Sequence, residues 1–270
     1  MTTFDVKENS ESLPGTRPEG TRSEREASKH VQGMFSRIAP SYDFLNHALT
    51  LSLDHWWRRK TALKFQPILT RPDARVLDLC CGTGDLTFAL ERVRRDAGAK
   101  SAKSPLWLPV VGSDFAQPML DRALAKGRKA AKTSVFANAD AMSMPFANAT
   151  FDLVTSAFGF RNLVNYEDGL REIARVLKPG GSIGLLECTE PPQGITAAMF
   201  RFYFRRVLPV VGGAVSGNRE AYTYLPTSVS HFFSREGLAN LLRSVGYKNV
   251  ETRAWNFGSI VLHSAQTPKR

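Results

Sequence analysis

The chain has 270 residues and a formal net charge of +11. That length provides one large domain with enough apolar residues for a core, and three cysteines without a C-x-x-C pattern argue against a disulfide framework or a zinc site. No apolar run resembles an export signal or a membrane span, so we expect a cytoplasmic protein. The basic surplus favours an anionic partner, either nucleic acid or the face of an anionic bilayer, although solvated helix faces are the simpler explanation of any single basic cluster.

The chain begins with two segments that precede the first predicted strand. Residues 1–29 are polar and poor in large apolar groups, so we predict a disordered tail. Residues 30–68 are helical in character, with interruptions expected at Pro40 and around Ser52–Leu53. We expect this helical addition to form part of a lid over a ligand site.

The stretch RVLDLCCGTGDLT predicts a buried strand, a glycine turn and the start of a helix. Asp78 stands near the end of the strand. Gly82 and Gly84 let the backbone turn sharply and approach a ligand, and the free N–H groups of the next helix point toward that ligand. Thr87 replaces the third glycine of the dinucleotide pattern G-x-G-x-x-G, so the stretch favours a different nucleotide-type cofactor. A dinucleotide site and a purely structural turn remain the alternatives.

A second acidic residue, Asp114, ends the next apolar run. In an open α/β sheet, an acidic side chain at this edge can accept both hydroxyl groups of a ribose. The alternative is an N-cap for the following helix. A third strand is predicted over residues 133–138, and Asp140 follows it, where a carboxylate could accept a hydrogen bond from an exocyclic amine.

The remaining elements continue the α/β alternation. We predict a fourth strand over Phe151–Ala157, a loop over residues 158–162 at the carboxyl edge of the sheet, and a helix over Tyr166–Leu177. Further elements are a turn over residues 178–181, a fifth strand over 182–187, a last helix over 234–246, and a closing antiparallel hairpin of strands over 250–255 and 259–263.

Two segments interrupt this alternation. Residues 97–105 form a basic insertion that is expected to be a surface loop. Residues 191–231 contain ITAAMFRFYFRRVLPVVGGAV, in which aromatic residues stand beside arginines. Such a helix fits a membrane surface or a channel for a long apolar tail. A cap helix packed on the domain core or on a second subunit is an equally open alternative.

Several stretches resemble the family of ubiquinone and menaquinone biosynthesis C-methyltransferases over about residues 30–264. They are FSRIAPSYDFLN, HWWRR, VLDLCCGTGDLT, AFGFRN and REIARVLKPGG, of which AFGFRN is the most discriminating. The resemblance implies a Rossmann-like class I methyltransferase fold, an α/β fold with a mostly parallel seven-stranded sheet, helices on both faces and an N-terminal helical addition. Residues 69–270 would then form the S-adenosylmethionine-binding domain, with a helical insertion at about 191–231.

The resemblance also implies which residues hold S-adenosylmethionine. Ala157 stands where family members can carry a serine that contacts the cofactor, so only its backbone can serve here. No metal is expected, because the sulfonium makes the methyl group electrophilic enough and the side-chain spacing suggests no metal site. The implied cofactor residues are Asp78, Gly82, Thr83, Gly84, Asp114, Asp140, Ala141 and Ala157.

The implied reaction requires loss of a quinol hydroxyl proton and stabilisation of the resulting phenolate. We predict that Arg161 and Asn162 hold the substrate oxygens, with arginine acting electrostatically because its pKa is too high for a base. His55 is the predicted proton-transfer group, with Tyr42 as a participant, because histidine titrates near neutral pH. The alternatives for proton transfer are His47, His263 and a water held by Asp140.

Three functions are compatible with these residues. The favoured one is methylation of demethylmenaquinol, with the benzoquinol precursor of ubiquinone, or both quinols, as the alternative. A nucleic-acid methyltransferase is more distant, because AFGFRN stands where an Asn/Asp-Pro-Pro-aromatic motif is common in base-methylating enzymes. A non-catalytic cofactor-binding protein is the third. The expected partners are a polyprenylated quinol and, transiently, the anionic inner face of the cytoplasmic membrane. A homodimer is open and no nucleic acid is expected.

Overall fold

The computed structural model describes residues 15–98, 107–191 and 219–269, together with a few positions between 191 and 219. Most of the predicted basic insertion and of the aromatic, arginine-rich stretch therefore lies outside the described residues. No described helix combines the length and the apolar character needed to cross a membrane.

Four helices precede the first strand. They are α1 (Glu24–Ile38), α2 (Tyr42–Leu49), α3 (Leu53–Lys64) and α4 (Gln66–Leu69). The predicted interruptions coincide with the helix ends, because α1 stops before Pro40 and α3 begins after Ser52, whose backbone is left-handed with a φ of 60°. Buried residues of α1 recur at helical spacing, which gives this helix an apolar face that packs with Ala116 and Met119.

The predicted tail requires correction for the part that the structure describes. Helix α1 begins at Glu24, and the Ser23 hydroxyl caps it by accepting a hydrogen bond from the Glu26 N–H at 3.2 Å. Farther upstream, Thr16 is buried, and its N–H donates to the carbonyl of Leu163 at 2.8 Å. Composition did not reveal this docking, because backbone hydrogen bonds rather than apolar side chains hold the segment. Residues 1–14 lie outside the described residues.

The domain that follows alternates strands and helices. Its elements are β1 (Val76–Leu79), α5 (Asp85–Gly98), β2 (Val110–Asp114), α6 (Gln117–Lys129), β3 (Val135–Asn138), β4 (Phe151–Ala157), α7 (Tyr166–Val176), β5 (Leu177–Cys188), α8 (Arg219–Ser230), α9 (Arg235–Ser244), β6 (Lys248–Trp255) and β7 (Ile260–Gln266). A single 3₁₀ turn, Phe160–Asn162, follows β4.

The seven strands form one sheet in the order β3-β2-β1-β4-β5-β7-β6. The first five strands are parallel, and β7 pairs antiparallel with both β5 and β6. Strand order reverses between β1 and β4, so their carboxyl ends border a crevice of the kind that holds ligands in open α/β sheets. The predicted fold class is therefore confirmed.

The predicted turn over residues 178–181 lies inside β5. Leu177 pairs with Phe151, and the next pair joins Ser182 to Leu153, so the intervening residues bulge out of the ladder. Gly180 supplies the left-handed conformation of this bulge, with a φ of 73°. The bulge lies near the amino end of β5 and leaves the pairing at the functional end regular.

Candidate active site

A sharp turn connects β1 to α5 and forms the floor of the site. Cys80, Gly82 and Gly84 all have left-handed backbone conformations, with φ values of 52°, 54° and 87°. Glycine adopts this conformation at little cost, which explains the two glycines of the motif. A Cβ atom on Gly159 would lie 2.4 Å from the Cβ of Cys80, so the loop after β4 packs directly on this turn only because residue 159 is glycine.

A cavity lies above this turn, at the carboxyl ends of the parallel strands. It has polar groups of the kind that bind a ribose and an adenine, and apolar side chains line its other walls, so its composition fits a nucleoside. The polar and backbone positions come from the glycine turn, the ends of β2 and β4, and the loop after β3. The predicted residues that line this cofactor cavity are Tyr42, Gly82, Asp114, Asp140, Ala141, Ala157 and Asn162.

Asp114 joins the glycine turn to the cofactor cavity. Its carboxylate accepts hydrogen bonds from the Gly82 N–H at 2.8 Å and from the Ala116 N–H at 2.9 Å. Burial raises the pKa of Asp114 above its ordinary value, although these backbone donors oppose the shift. A carboxylate has about four acceptor positions, so two remain for hydroxyl groups of a ribose. Asp114 therefore fits the role that its place in the sequence predicts.

Three other predicted cofactor residues do not line the cofactor cavity. Gly84 shapes the turn, where a Cβ atom would lie 3.0 Å from the ring of Phe88. The Thr83 hydroxyl donates to Asp43 and accepts a hydrogen bond from Lys126 at 3.1 Å. Asp78 is fully buried, and it lines a small cavity at the turn, which Thr83 also lines. Gly82 and Ala157 line both this small cavity and the cofactor cavity, so the two adjoin, and direct cofactor contacts by Asp78, Thr83 and Gly84 stay a prediction.

A second, larger cavity adjoins the cofactor cavity. Phe35, Tyr42 and Phe158 line both cavities and form the boundary between them. We call the second cavity the chamber. Its wall is mostly apolar, and the residues that make it so include Met34, Ile38, Leu49, Trp57, Leu225 and Ile260. A ligand with a large apolar part could therefore lie next to a nucleoside held in the first cavity.

Arg161 is the principal cation in the wall of the chamber. Its Nη1 donates to the buried Glu187 carboxylate at 2.9 Å and also to the carbonyl of Phe158. Burial lowers the pKa of Arg161, but the attraction of Glu187 outweighs that effect and raises the pKa above its ordinary value. Within the described residues, its buried Nε has no hydrogen-bond partner. Arg161 is therefore a cation fixed in the chamber wall by Glu187 and the carbonyl of Phe158.

Asn162 is oriented by a chain of hydrogen bonds from two distant segments. The Tyr224 hydroxyl of α8 donates to the Asn162 side-chain oxygen at 3.0 Å and lies 2.9 Å from the Thr16 hydroxyl. The segment upstream of α1 thus helps to fix a residue that lines the cofactor cavity.

Comparison with known proteins identifies the family. The model of the ubiE/COQ5 methyltransferase family matches residues 22–267. The chain belongs to this family. A demethylmenaquinone methyltransferase of Deinococcus radiodurans is 45% identical over 84% of this chain and 88% of that protein. A ubiquinone/menaquinone biosynthesis C-methyltransferase UbiE of Geobacter sulfurreducens is 38% identical over 89% of this chain and 90% of that protein.

A solved structure supports the fold independently. The S-adenosylmethionine-dependent methyltransferase of Aquifex aeolicus superposes with a TM-score of 0.53 at 17% sequence identity and covers 77% of this chain and 88% of that chain. The seven-stranded sheet of this ubiE/COQ5 family member is thus that of an S-adenosylmethionine-dependent methyltransferase.

Arg58 and Glu187 are site residues that sequence reasoning missed. Arg58 is buried, pairs with Asp54 one turn earlier in α3, and lies 5.5 Å from the centre of the Phe158 ring. It lines the chamber and also the small cavity at the glycine turn. Arg58 belongs to the basic run of residues 58–64, and a solvated helix face is the simplest explanation of such a run from sequence alone. The adjacent tryptophans were the available signal of burial.

His55 needs correction as the predicted proton-transfer group. Its side chain is exposed, stacks on His47 with ring centres 4.2 Å apart, and lines an outer groove rather than the cofactor cavity or the chamber. The alternative His263 is buried and bonded to the carbonyl of Arg235 at 2.8 Å, and it lines neither cavity. His47 bonds Asp54, which lines the chamber, at 2.8 Å. These positions therefore favour His47 over His55 and His263 as the proton-transfer group.

Acidic and histidine side chains of α2, α3 and α5 come close enough to consider a metal ion. Two groups of described residues could each bring ligand atoms within 4.8 Å of one another. Cations already pair with their carboxylates, since Arg58 binds Asp54 and Lys126 binds Asp43 and Asp85. The absence of a metal from the reaction stays a prediction. The two groups are His47, Asp54 and His55, and Asp43, His47 and Asp85.

Because Asp78 is buried, we expect the free energy of unfolding to depend on pH. Burial raises its pKa to about 7, although hydrogen bonds from Thr87 at 2.7 Å and Thr155 at 3.1 Å oppose the shift. The folded protein therefore holds the proton of the Asp78 carboxyl group more tightly than the unfolded chain does. In the unfolded chain this aspartate titrates at about pH 4. The stabilisation is complete below the unfolded pKa and is lost as pH rises through about 7.

Replacing Asp78 by asparagine should remove this dependence, because an amide does not titrate and the two threonine hydroxyls can still bond it. Between about pH 5 and about pH 8, the wild-type free energy of unfolding should fall by roughly 3 kcal/mol more than that of Asp78→Asn. Urea unfolding across this range measures the difference. Parallel pH profiles for the two proteins would show that Asp78 is ionised in the folded state.

Proposed function

We propose that this member of the ubiE/COQ5 family transfers a methyl group from S-adenosylmethionine to a ring carbon of demethylmenaquinol. One observation carries the proposal: an apolar chamber with a buried cation adjoins a cavity at the carboxyl edge of the sheet whose polar residues suit a nucleoside. A quinol has an apolar tail that suits the chamber and ring oxygens that suit Arg161. Relatives at 35–45% identity that are named demethylmenaquinone methyltransferases support the same substrate.

S-adenosylmethionine supplies a methyl group whose attachment to a sulfonium makes it electrophilic. Asp114 would hold the ribose, and Asp140 is the acceptor available to the adenine amine. Asp140 already accepts a hydrogen bond from the Met142 N–H at 2.9 Å, which fixes its position in the loop after β3. These residues bind and orient the cofactor, and none of them has to move a proton.

The chamber residues activate the ring. Two guanidinium groups, of Arg58 and Arg161, line the chamber, and an adjacent cation lowers the pKa of a phenolic hydroxyl group. Burial raises the pKa of Tyr42, so its hydroxyl stays protonated and can donate to a substrate oxygen at the boundary of the two cavities. Arg161 stabilises the phenolate that pushes electron density onto the ring carbon. His47, through Asp54, is our revised candidate for accepting the proton.

The benzoquinol precursor of ubiquinone is the second candidate substrate, because it presents the same oxygens and the same kind of tail. The relative in Geobacter sulfurreducens is named for both pathways. We further propose a transient association with the anionic inner face of the cytoplasmic membrane, where such quinols reside. The +11 net charge of the chain supports this association. A homodimer remains a proposal, and we expect no nucleic acid, since the chamber is mostly apolar.

A methyl-transfer assay with labelled S-adenosylmethionine tests the function. Demethylmenaquinol and the demethylated benzoquinol, with equal tails, are offered in detergent, and RNA serves as the control acceptor. We expect labelled naphthoquinol. Label on both quinols would extend the activity to ubiquinone precursors, whereas label on RNA alone would overturn the proposal. Tight cofactor binding without label on any acceptor would make the protein a non-catalytic binder.

A further inference from the structure

Two loop tips hold large apolar side chains out into solvent. Leu51 lies between α2 and α3 and is 84% exposed, while Phe257 lies between β6 and β7 and is 81% exposed. Both residues have left-handed backbones, with φ values of 50° and 56°. Bulky side chains rarely occupy this conformation, which costs free energy and tends to persist where it serves a function. Packing within the described residues does not explain either side chain.

Both tips stand at the opening of the chamber. Leu51 and its neighbour Leu53 are exposed and also line the chamber, which places them at its mouth. Asn256 precedes Phe257 and lines the chamber too. The Trp57 indole N–H donates to the Asn256 side-chain oxygen at 3.2 Å, which ties α3 to the second tip. The two tips therefore flank the same entrance.

Trp56 and Trp255 stand next in the sequence to the chamber residues Trp57 and Asn256, and each has a cation near its ring. Trp56 is 41% exposed, and its ring meets the edge of the Trp255 ring with centres 5.7 Å apart. Lys60 lies 5.4 Å from the ring centre of Trp56, and Arg253 lies 5.7 Å from that of Trp255. Neither cation forms an ion pair within the part of the chain that the structure describes. Exposed tryptophan beside unpaired lysine or arginine is typical of surfaces that enter the headgroup region of an anionic bilayer.

We propose that this rim, formed by Leu51, Leu53, Trp56, Trp255 and Phe257, inserts into an anionic membrane surface. The chamber then opens directly into the bilayer, and a long-tailed quinol can enter it without crossing water. The proposal rests on the proposed function for the identity of that ligand. Lys60 and Arg253 beside the rim match anionic headgroups, and the exposed apolar side chains of the rim match the acyl boundary. The membrane contact predicted for residues 191–231 is a separate expectation outside the described residues.

The test uses the full-length protein and vesicles of phosphatidylcholine with or without phosphatidylglycerol. The double variant Trp56→Gln/Phe257→Asn removes two apolar groups without changing the net charge. Asparagine tolerates a left-handed backbone better than phenylalanine, so the fold should survive. The matched control is Phe44→Asn, because Phe44 is 66% exposed but lies on the face of α2 opposite the chamber residues Tyr42 and Asn46.

In sedimentation with vesicles, we expect salt-sensitive binding of the wild type to the anionic vesicles. The double variant should lose at least about tenfold in partition coefficient, while the control binds as the wild type does. The double variant should still methylate a quinol with a truncated, water-soluble tail and should lose activity on a long-tailed quinol in vesicles.

Other outcomes would overturn the rim proposal. The proposal would be overturned by equal vesicle binding of the wild type and the double variant. It would also be overturned if the double variant and the control lost vesicle binding equally. A change of molar mass in light scattering, with vesicle binding unaltered, would make the rim an interface between copies of the chain. Vesicle binding through the rim without methylation of either quinol would leave the rim in place and overturn the proposed function instead.

Discussion

Replacing Arg161 by alanine should lower kcat about 10² to 10³-fold, which is the usual effect of removing a donor that stabilises an oxyanion in a buried site. Arg161 lines the chamber and not the cofactor cavity, so the affinity for S-adenosylhomocysteine should stay near the wild-type value. Steady-state kinetics and calorimetric titration measure the two quantities. An equal loss of cofactor affinity would place this guanidinium in the cofactor site.

The same substitution also affects stability, and that effect must be separated from catalysis. Glu187 is fully buried, so loss of the guanidinium leaves its carboxylate without a countercharge and costs about 3 to 5 kcal/mol. The double variant Arg161→Ala/Glu187→Gln removes this charge. We expect the double variant to recover most of the lost stability while its kcat remains low. Recovery of kcat together with stability would show that Arg161 acts only by holding the loop after β4.

The sequence predicts the cofactor half of the site well, because that half follows from strand ends. Asp114 ends one buried strand and Gly82 stands three residues after the end of its neighbour, and parallel strands bring their carboxyl ends to one edge. Their hydrogen bond at 2.8 Å joins residues 32 positions apart, yet both were recognisable from local patterns alone. A local pattern suffices here because, in a parallel sheet, a residue at the end of a strand lies at the carboxyl edge where the ligand binds.

The substrate half could not be predicted in the same way. Glu187 falls at the end of a predicted strand, but its pairing with Arg161 depends on the approach of β5 to the loop after β4. His55 was chosen for its chemistry, whereas the direction of its side chain is set by the packing of α3, which buries Trp57 and Arg58 and leaves residue 55 exposed. Pairing and orientation are tertiary properties, and one sequence does not display them.

The cofactor half yields the second large expected effect. Replacing Asp114 by asparagine should weaken the binding of S-adenosylhomocysteine by about 30 to 1,000-fold, since two hydrogen bonds from ribose hydroxyls to a charged acceptor are weakened. Turnover at saturating cofactor should change much less. The matched control is Asp121→Asn, because Asp121 is exposed on α6 and bonds Gln117 outside the cavity. Calorimetric titration measures the affinities.

Asp114 could act on the ribose directly or only through the glycine turn, because its carboxylate also accepts the Gly82 and Ala116 N–H groups. A ligand without ribose hydroxyls separates the two effects. If Asp114 holds the ribose, the wild type should lose affinity for the 2′,3′-dideoxy analogue, while Asp114→Asn should bind it about as well as the natural ligand. This non-additivity measures the direct contact. Additive losses would mean that the carboxylate only shapes the turn, and the ribose would then need another acceptor at the carboxyl edge of the sheet.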